Sequence, residues 1–220
     1  MGLGLHIDPL TLVAGLIAFV IAITLHEFMH AFVAYQLGDP TAMHLGRITL
    51  NPVAHFDPFG FLFTVLLVLG LAPIAWGKPV PVNPGNFRNP KRGMLLTAAA
   101  GPLSNVVQAA VFSTPLWLAP GAVEHWPPFA RDLIGLLVSL NLLLAAFNLI
   151  PIPPLDGLKI LTGLLPDFWY PVLAPLERNG FTILILIIFL QFFIHIDLLG
   201  PVISPVYTLL SGLIVPAGFR

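Results

Sequence analysis

Cysteine is missing from all 220 residues, so the chain has no disulfide, no thiolate nucleophile and no cysteine-ligated metal. Any metal it holds must sit on imidazole or carboxylate groups. Charge is nearly as scarce: 9% of residues are Asp, Glu, Lys or Arg, against about 25% in a soluble globular domain. With 57% hydrophobic residues and a mean hydropathy of +0.94, a water-soluble fold is excluded. Nine Lys plus Arg against ten Asp plus Glu leave a net charge of −1, which gives no footprint for nucleic acid. Residues 1–9 carry no Lys or Arg, so the basic region of a cleaved signal peptide is lacking and the first apolar stretch is expected to stay in the protein.

What the chain has instead is long apolar runs. Residues 10–37, 59–76, 94–118, 131–150 and 181–199 each read as a membrane segment, with 202–215 a shorter one broken by Pro205. The expected fold is an all-α polytopic membrane protein with about five to six transmembrane helices. It forms a single membrane-embedded domain over residues 1–220, with accessory helices over about 166–220. Gly38-Asp39-Pro40 closes the first run with a helix-capping glycine and a proline. Residues 44–50 alternate enough to suggest a short membrane-associated β segment, and residues 48–50 an edge. Residues 78–92 hold four prolines and four basic residues and are expected to form a loop.

The basic residues orient the runs. Arg47, Lys78, Arg88, Lys91 and Arg92 lie before residue 94, and Lys159 and Arg178 lie between residues 150 and 181. The positive-inside rule puts both groups in the cytoplasm, with the N-terminus and Arg131 outside. Residues 59–76 must then enter and leave on one side as a re-entrant hairpin, for which Gly70 and Pro73 are break points.

The first run contains His26-Glu27-Phe28-Met29-His30, an HExxH pattern. On a helix the two imidazoles stack one turn apart and can share a zinc ion, with Glu27 beside them as a candidate general base. The run of about 28 residues rises about 42 Å against a hydrocarbon core of about 30 Å, so the pair lies in the half of the membrane nearer Gly38. A catalytic zinc takes three protein ligands and keeps a position for water. Asp156 is the candidate third ligand, because Pro151, Pro153 and Pro154 end a membrane helix just before it and Gly157 lets backbone approach closely. A fully crossing 59–76 segment would put Asp156 on the opposite leaflet from the histidines, so metal geometry and charge bias agree.

HEFMH in a membrane helix, AGPLSN at 100–105 and AAFNLIPIPPLDG at 145–157 together resemble the site-2 protease family of intramembrane zinc metalloproteases. The motifs cover a catalytic core of about residues 10–165, in a minimal form without PDZ or CBS domain. The resemblance implies one Zn²⁺ per chain on His26, His30 and Asp156, Glu27 as catalytic base and Asn148 as an active-site polar residue. It also implies single-span transmembrane substrates, a setting in membrane lipid, and an integral protein of a prokaryotic cell membrane with its active site toward the cytoplasm. A divalent-metal transporter, or a scaffold without proteolysis, could use the same His and Asp residues. Asn105 and Asn141 are expected to make ordinary interhelical hydrogen bonds, and His44, His55, His125 and His195 to sit near interfaces without a special role.

Overall fold

A computed structural model describes residues 8–69, 77–194 and 196–219, and all regular structure among them is helical. In chain order the helices are α1 (Pro9–Gln36), one-turn α2 (Thr41–His44), α3 (Pro58–Val68), α4 (Pro90–Leu118) and one-turn α5 (Pro120–Val123). They continue with α6 (Pro128–Asn148), α7 (Asp156–Leu164), α8 (Tyr170–Ile194) and α9 (Gly200–Ile214). Four apolar helical runs, Pro9–Gln36, Pro90–Leu118, Pro128–Asn148 and Asp167–Gln191, are long enough to cross a membrane, and α9 is a shorter apolar helix.

Local chemistry sets the boundaries. The Asp8 carboxylate accepts from Leu10 N–H and Pro9 opens α1, while Asn89 caps α4 through Arg92 N–H ahead of Pro90. α1 closes where Gly38 takes φ 106°, as its glycine-proline ending predicts, with Asp39 N–H returning to the Ala34 carbonyl at 2.9 Å.

α1, α4 and α6 pack against one another and form the core. Lipid tails are as apolar as leucine, so helices gain from close packing rather than from burial of grease. Small residues allow it: Ala18, Ala22, Ala31 and Ala34 on α1 and Ala98, Gly101 and Ala109 on α4 are all buried. α7 folds back on α4 and α9 lies on α6. α8 attaches through a cluster of Phe147, Ile150, Leu155, Leu184 and Leu199. At its base, Lys91 Nζ donates to the Leu165 carbonyl and pairs with Asp167, both at 2.6 Å.

Several expectations need correction. No strand occurs among the described residues: a lone extended stretch finds no partner, so the 44–50 segment turns at Gly46 (φ 66°), and Thr49 spends its carbonyl on His55 Nε2 at 2.9 Å. Residues 48–50 therefore offer no strand edge. α8 starts at Tyr170 rather than 181, and α9 runs through Pro205 unbroken, because neighbouring helices and local adjustment tolerate proline in membrane helices. His55, at the end of the Pro52–His55 turn, is buried with Thr49 and Arg47 as its polar neighbours. The described part of the 59–76 run is α3, whose 11 residues rise about 16 Å; Gly70 and Pro73 lie outside the described residues. Lys78 N–H donates to the His55 carbonyl at 2.9 Å, so the chain entering this excursion and the chain leaving it meet.

Candidate metal centre

His26 and His30 stand one turn apart on α1, and Asp156 arrives in the first turn of α7, 126 positions beyond His30 in sequence. All three are buried. His26 Nε2 and His30 Nε2 are 3.0 Å apart, and they lie 3.3 and 3.1 Å from Asp156 Oδ2. A tetrahedral zinc with ligands at 2.0–2.1 Å spaces them about 3.3 Å apart, so this triangle is compatible with one face of a zinc tetrahedron.

Proton placement supports the fit. His30 Nδ1 lies 2.7 Å from the Thr97 carbonyl, which can only accept, so the ring donates from Nδ1. His26 Nδ1 lies 2.6 Å from Asn105 Oδ1; Asn105 Nδ2 donates to Asn141 Oδ1 at 2.8 Å, and Asn141 Nδ2 donates to the Leu137 carbonyl at 2.7 Å. Because that chain ends on a carbonyl it has one polarity, and His26 also donates from Nδ1. In the neutral rings that bind a metal, both Nε2 atoms then present lone pairs toward the buried Asp156 Oδ2. Three converging lone pairs in a buried site repel one another, and a divalent cation resolves them.

Two glycines let the backbones come close enough. A Cβ on Gly101 of α4 would lie 2.4 Å from His30 Nε2 and 2.6 Å from His26 Cε1. One on Gly157 would lie 2.3 Å from the Leu149 carbonyl oxygen, so glycine there seats α7 under the end of α6 and aims Asp156, in line with the sequence expectation.

Glu27 is buried beside the histidines, and its Oε2 accepts from Val80 N–H at 3.0 Å. Val80 belongs to a strap over residues 77–83 that contains Pro79 and Pro81. Pre-proline restriction at Lys78, Val80 and Asn83 keeps it out of helix. Glu27, the three clustered residues and Asn148 all line one cavity of about 450 Å³, closed on other sides by Pro79, Val80 and α8 residues such as Phe181. Asn148 donates one amide hydrogen to Leu144 within its own helix, at 3.0 Å. Asn141 does make the expected interhelical bond.

Sequence reading missed Thr97, Gly101, Val80 and the function of Asn105. The only available signal was AGPLSN as a motif; the Thr97 and Val80 contacts use backbone groups, which carry no residue signature. Partners of this kind fix the tautomer and orientation of metal-binding histidines, and their loss costs about 10- to 100-fold in metal affinity. Asn105→Ala is expected to weaken zinc retention by that factor in a chelator competition titration, while leaving the helical content intact.

A bundle of helices long and apolar enough to cross a membrane, enclosing a buried His-His-Asp cluster next to the Glu27 carboxylate, has the residues of a metal hydrolase. Comparison with known proteins gives the same class. The chain is 39% identical over 185 residues to "Putative zinc metalloprotease YwhC" of Bacillus subtilis, covering 81% of this chain and 82% of that protein. It is 31% identical over 189 residues to "Putative zinc metalloprotease Rip2" of Mycolicibacterium smegmatis, covering 83% and 70%. It is 32% identical over 169 residues to "Putative zinc metalloprotease MJ0611" of Methanocaldococcus jannaschii, covering 76% and 78%. No protein-family model and no solved structure matches it. The chain belongs to the zinc metalloprotease family these bacterial and archaeal relatives represent.

Proposed function

We propose that this protein is an intramembrane metalloprotease of the site-2 type, which hydrolyses peptide bonds within or near the transmembrane segments of single-span membrane proteins. The observation that carries this reading is the convergence of Asp156 on His26 and His30 beside the Glu27 carboxylate, with both histidines and Glu27 on a helix long and apolar enough to cross lipid. Ionisable groups at that depth are costly without a function.

In this reading His26, His30 and Asp156 hold one zinc ion. When bound, zinc lowers the pKa of a coordinated water toward about 7 and polarises the scissile carbonyl. Glu27 takes the water's proton and passes it to the leaving amine. Asn148, with one amide hydrogen still available, donates to the carbonyl oxygen as it gains charge. The apolar cavity walls on α6 and α8 accept the substrate segment after lateral entry from the bilayer.

The meeting of Lys78 with His55 supports reading residues 59–76 as re-entrant. The N-terminus then lies outside and the active site faces the cytoplasm, with Arg88 and Lys159 on that side.

The test is purification in detergent, zinc analysis, and incubation with a panel of single-span substrates. Cleavage is expected to stop on treatment with a chelator and to return on addition of zinc. Zinc flux into vesicles without any cleavage would instead select a transporter, and neither activity would select a scaffold.

A further inference from the structure

Arg47 is a cation in an unexpected place. It lies between α2 and the turn at Pro52–His55, outside every membrane-spanning helix, yet only 5% of it is exposed. An unpaired buried guanidinium is costly, so its partners matter. Arg47 Nη1 donates to the Pro79 carbonyl at 3.1 Å and Nη2 donates to the Lys78 carbonyl. Nη2 also lies 3.5 Å from His55 Nδ1, which is the accepting nitrogen because His55 Nε2 donates to Thr49. Among the described residues the guanidinium's hydrogen bonds thus go to the strap and to the residue that pins the strap's start through Lys78 N–H.

The other end of the strap has its own anchor. Asp39, fully buried, accepts from Asn83 N–H at 2.7 Å and from Asn86 Nδ2 at 2.6 Å. The backbone is held at 78–79 and again at Asn83, and between these points, next to Pro79, Val80 N–H meets Glu27 Oε2. Pro79 and Pro81 have no N–H, so Val80 supplies the donor where its two neighbours could not.

We infer that Arg47 is a positioning residue for the proposed hydrolysis: by clasping the Lys78 and Pro79 carbonyls it holds the strap so that Val80 N–H orients the Glu27 carboxylate beside the metal-binding cluster. This rests on the protease reading for its kinetic consequence but not for its geometric one. The fork of the guanidinium spans two successive carbonyls, which a lysine ammonium cannot match.

The test has two arms. Hydrogen exchange on the full-length protein in detergent reads the geometry without any substrate. The Val80 amide is expected to be protected in the unaltered protein and to exchange at least tenfold faster in Arg47→Gln, with the α1 amides unchanged. The kinetic arm compares Arg47→Gln, Arg47→Lys, Val80→Pro and the Arg47→Gln/Val80→Pro double variant, each with its zinc content measured. A misplacement of about 1 Å can cost about 10²-fold, so kcat is expected to fall by up to that factor with KM nearly unchanged. Arg47→Lys should recover part of the loss, and the double variant should be no slower than Val80→Pro alone.

Val80→Pro removes the N–H that meets Glu27 but also replaces a side chain lining the cavity, so Val80→Ala, which keeps the N–H, is its control, and the pair tests the Val80–Glu27 contact even where Arg47→Gln fails to fold. Unaltered kcat in zinc-loaded Val80→Pro, multiplying losses in the double variant, or unchanged Val80 exchange in Arg47→Gln would each overturn the inference. Absence of cleavage by the unaltered protein would overturn the protease reading instead, and the exchange arm would still decide on Arg47.

Discussion

Glu27→Gln is expected to abolish peptide-bond cleavage while the protein keeps its zinc. The exchange is nearly isosteric, and the glutamine carbonyl oxygen can still accept from Val80 N–H, where the carboxylate now accepts at 3.0 Å. His26, His30 and Asp156 keep their mutual distances because Glu27 shares no hydrogen bond with them. What disappears is the capacity to take up a proton. General-base catalysis contributes about 10²- to 10⁴-fold, so cleavage of a transmembrane substrate should drop by that factor or below detection. The measurement is product formation on a single-span substrate, with zinc per chain determined on the same preparation. Full activity in a zinc-loaded Glu27→Gln protein would remove the carboxylate from the mechanism.

The second large effect belongs to a residue with no side chain. Gly101→Ala is expected to reduce zinc content to background and activity with it. The added methyl would sit 2.4 Å from His30 Nε2 and 2.5 Å from His30 Cε1, inside any tolerable contact, and 2.6 Å from the ring of His26. Neither imidazole can yield freely, since each is tied through Nδ1 to α4 or to α4's own amide chain. The helices must separate or the rings must turn away, and overpacking of this kind costs about 1–3 kcal/mol before any metal is lost. Gly135→Ala is the control: it lies within α6 with nothing within 4 Å of the new methyl, so zinc and activity should be unchanged. Metal analysis of both variants separates a loss specific to the α1–α4 contact from a general intolerance of alanine.

The residues that sequence made legible are those whose chemistry is written in local spacing. His26 and His30 follow from a four-residue step on a helix, and Asp156 from a run of prolines that ends one helix and a glycine that seats the next. Their supports were hidden because they depend on contacts between distant segments. Thr97 is 67 positions from His30 and Asn105 is 79 from His26, and in the first case the contact is a backbone carbonyl that any residue would offer. Arg47 read as an ordinary positive charge for orienting the chain, since burial cannot be seen in a sequence. The boundary errors share another cause. The 181–199 run begins beyond Pro175 and the 202–215 run reads as broken by Pro205, but a helix packed among helices carries both prolines. Residues 44–50 had a strand's composition without a second strand to pair with.

The hydrogen bond from Lys78 to His55 has a consequence for how such a chain can diverge. A segment whose first and last residues are fastened together adds no net displacement to the path of the backbone, whatever lies between them. Insertions or deletions inside it would leave the start of α4 where it is, and so would leave the ancestry of this excursion free to vary in length while the helices on either side keep their register.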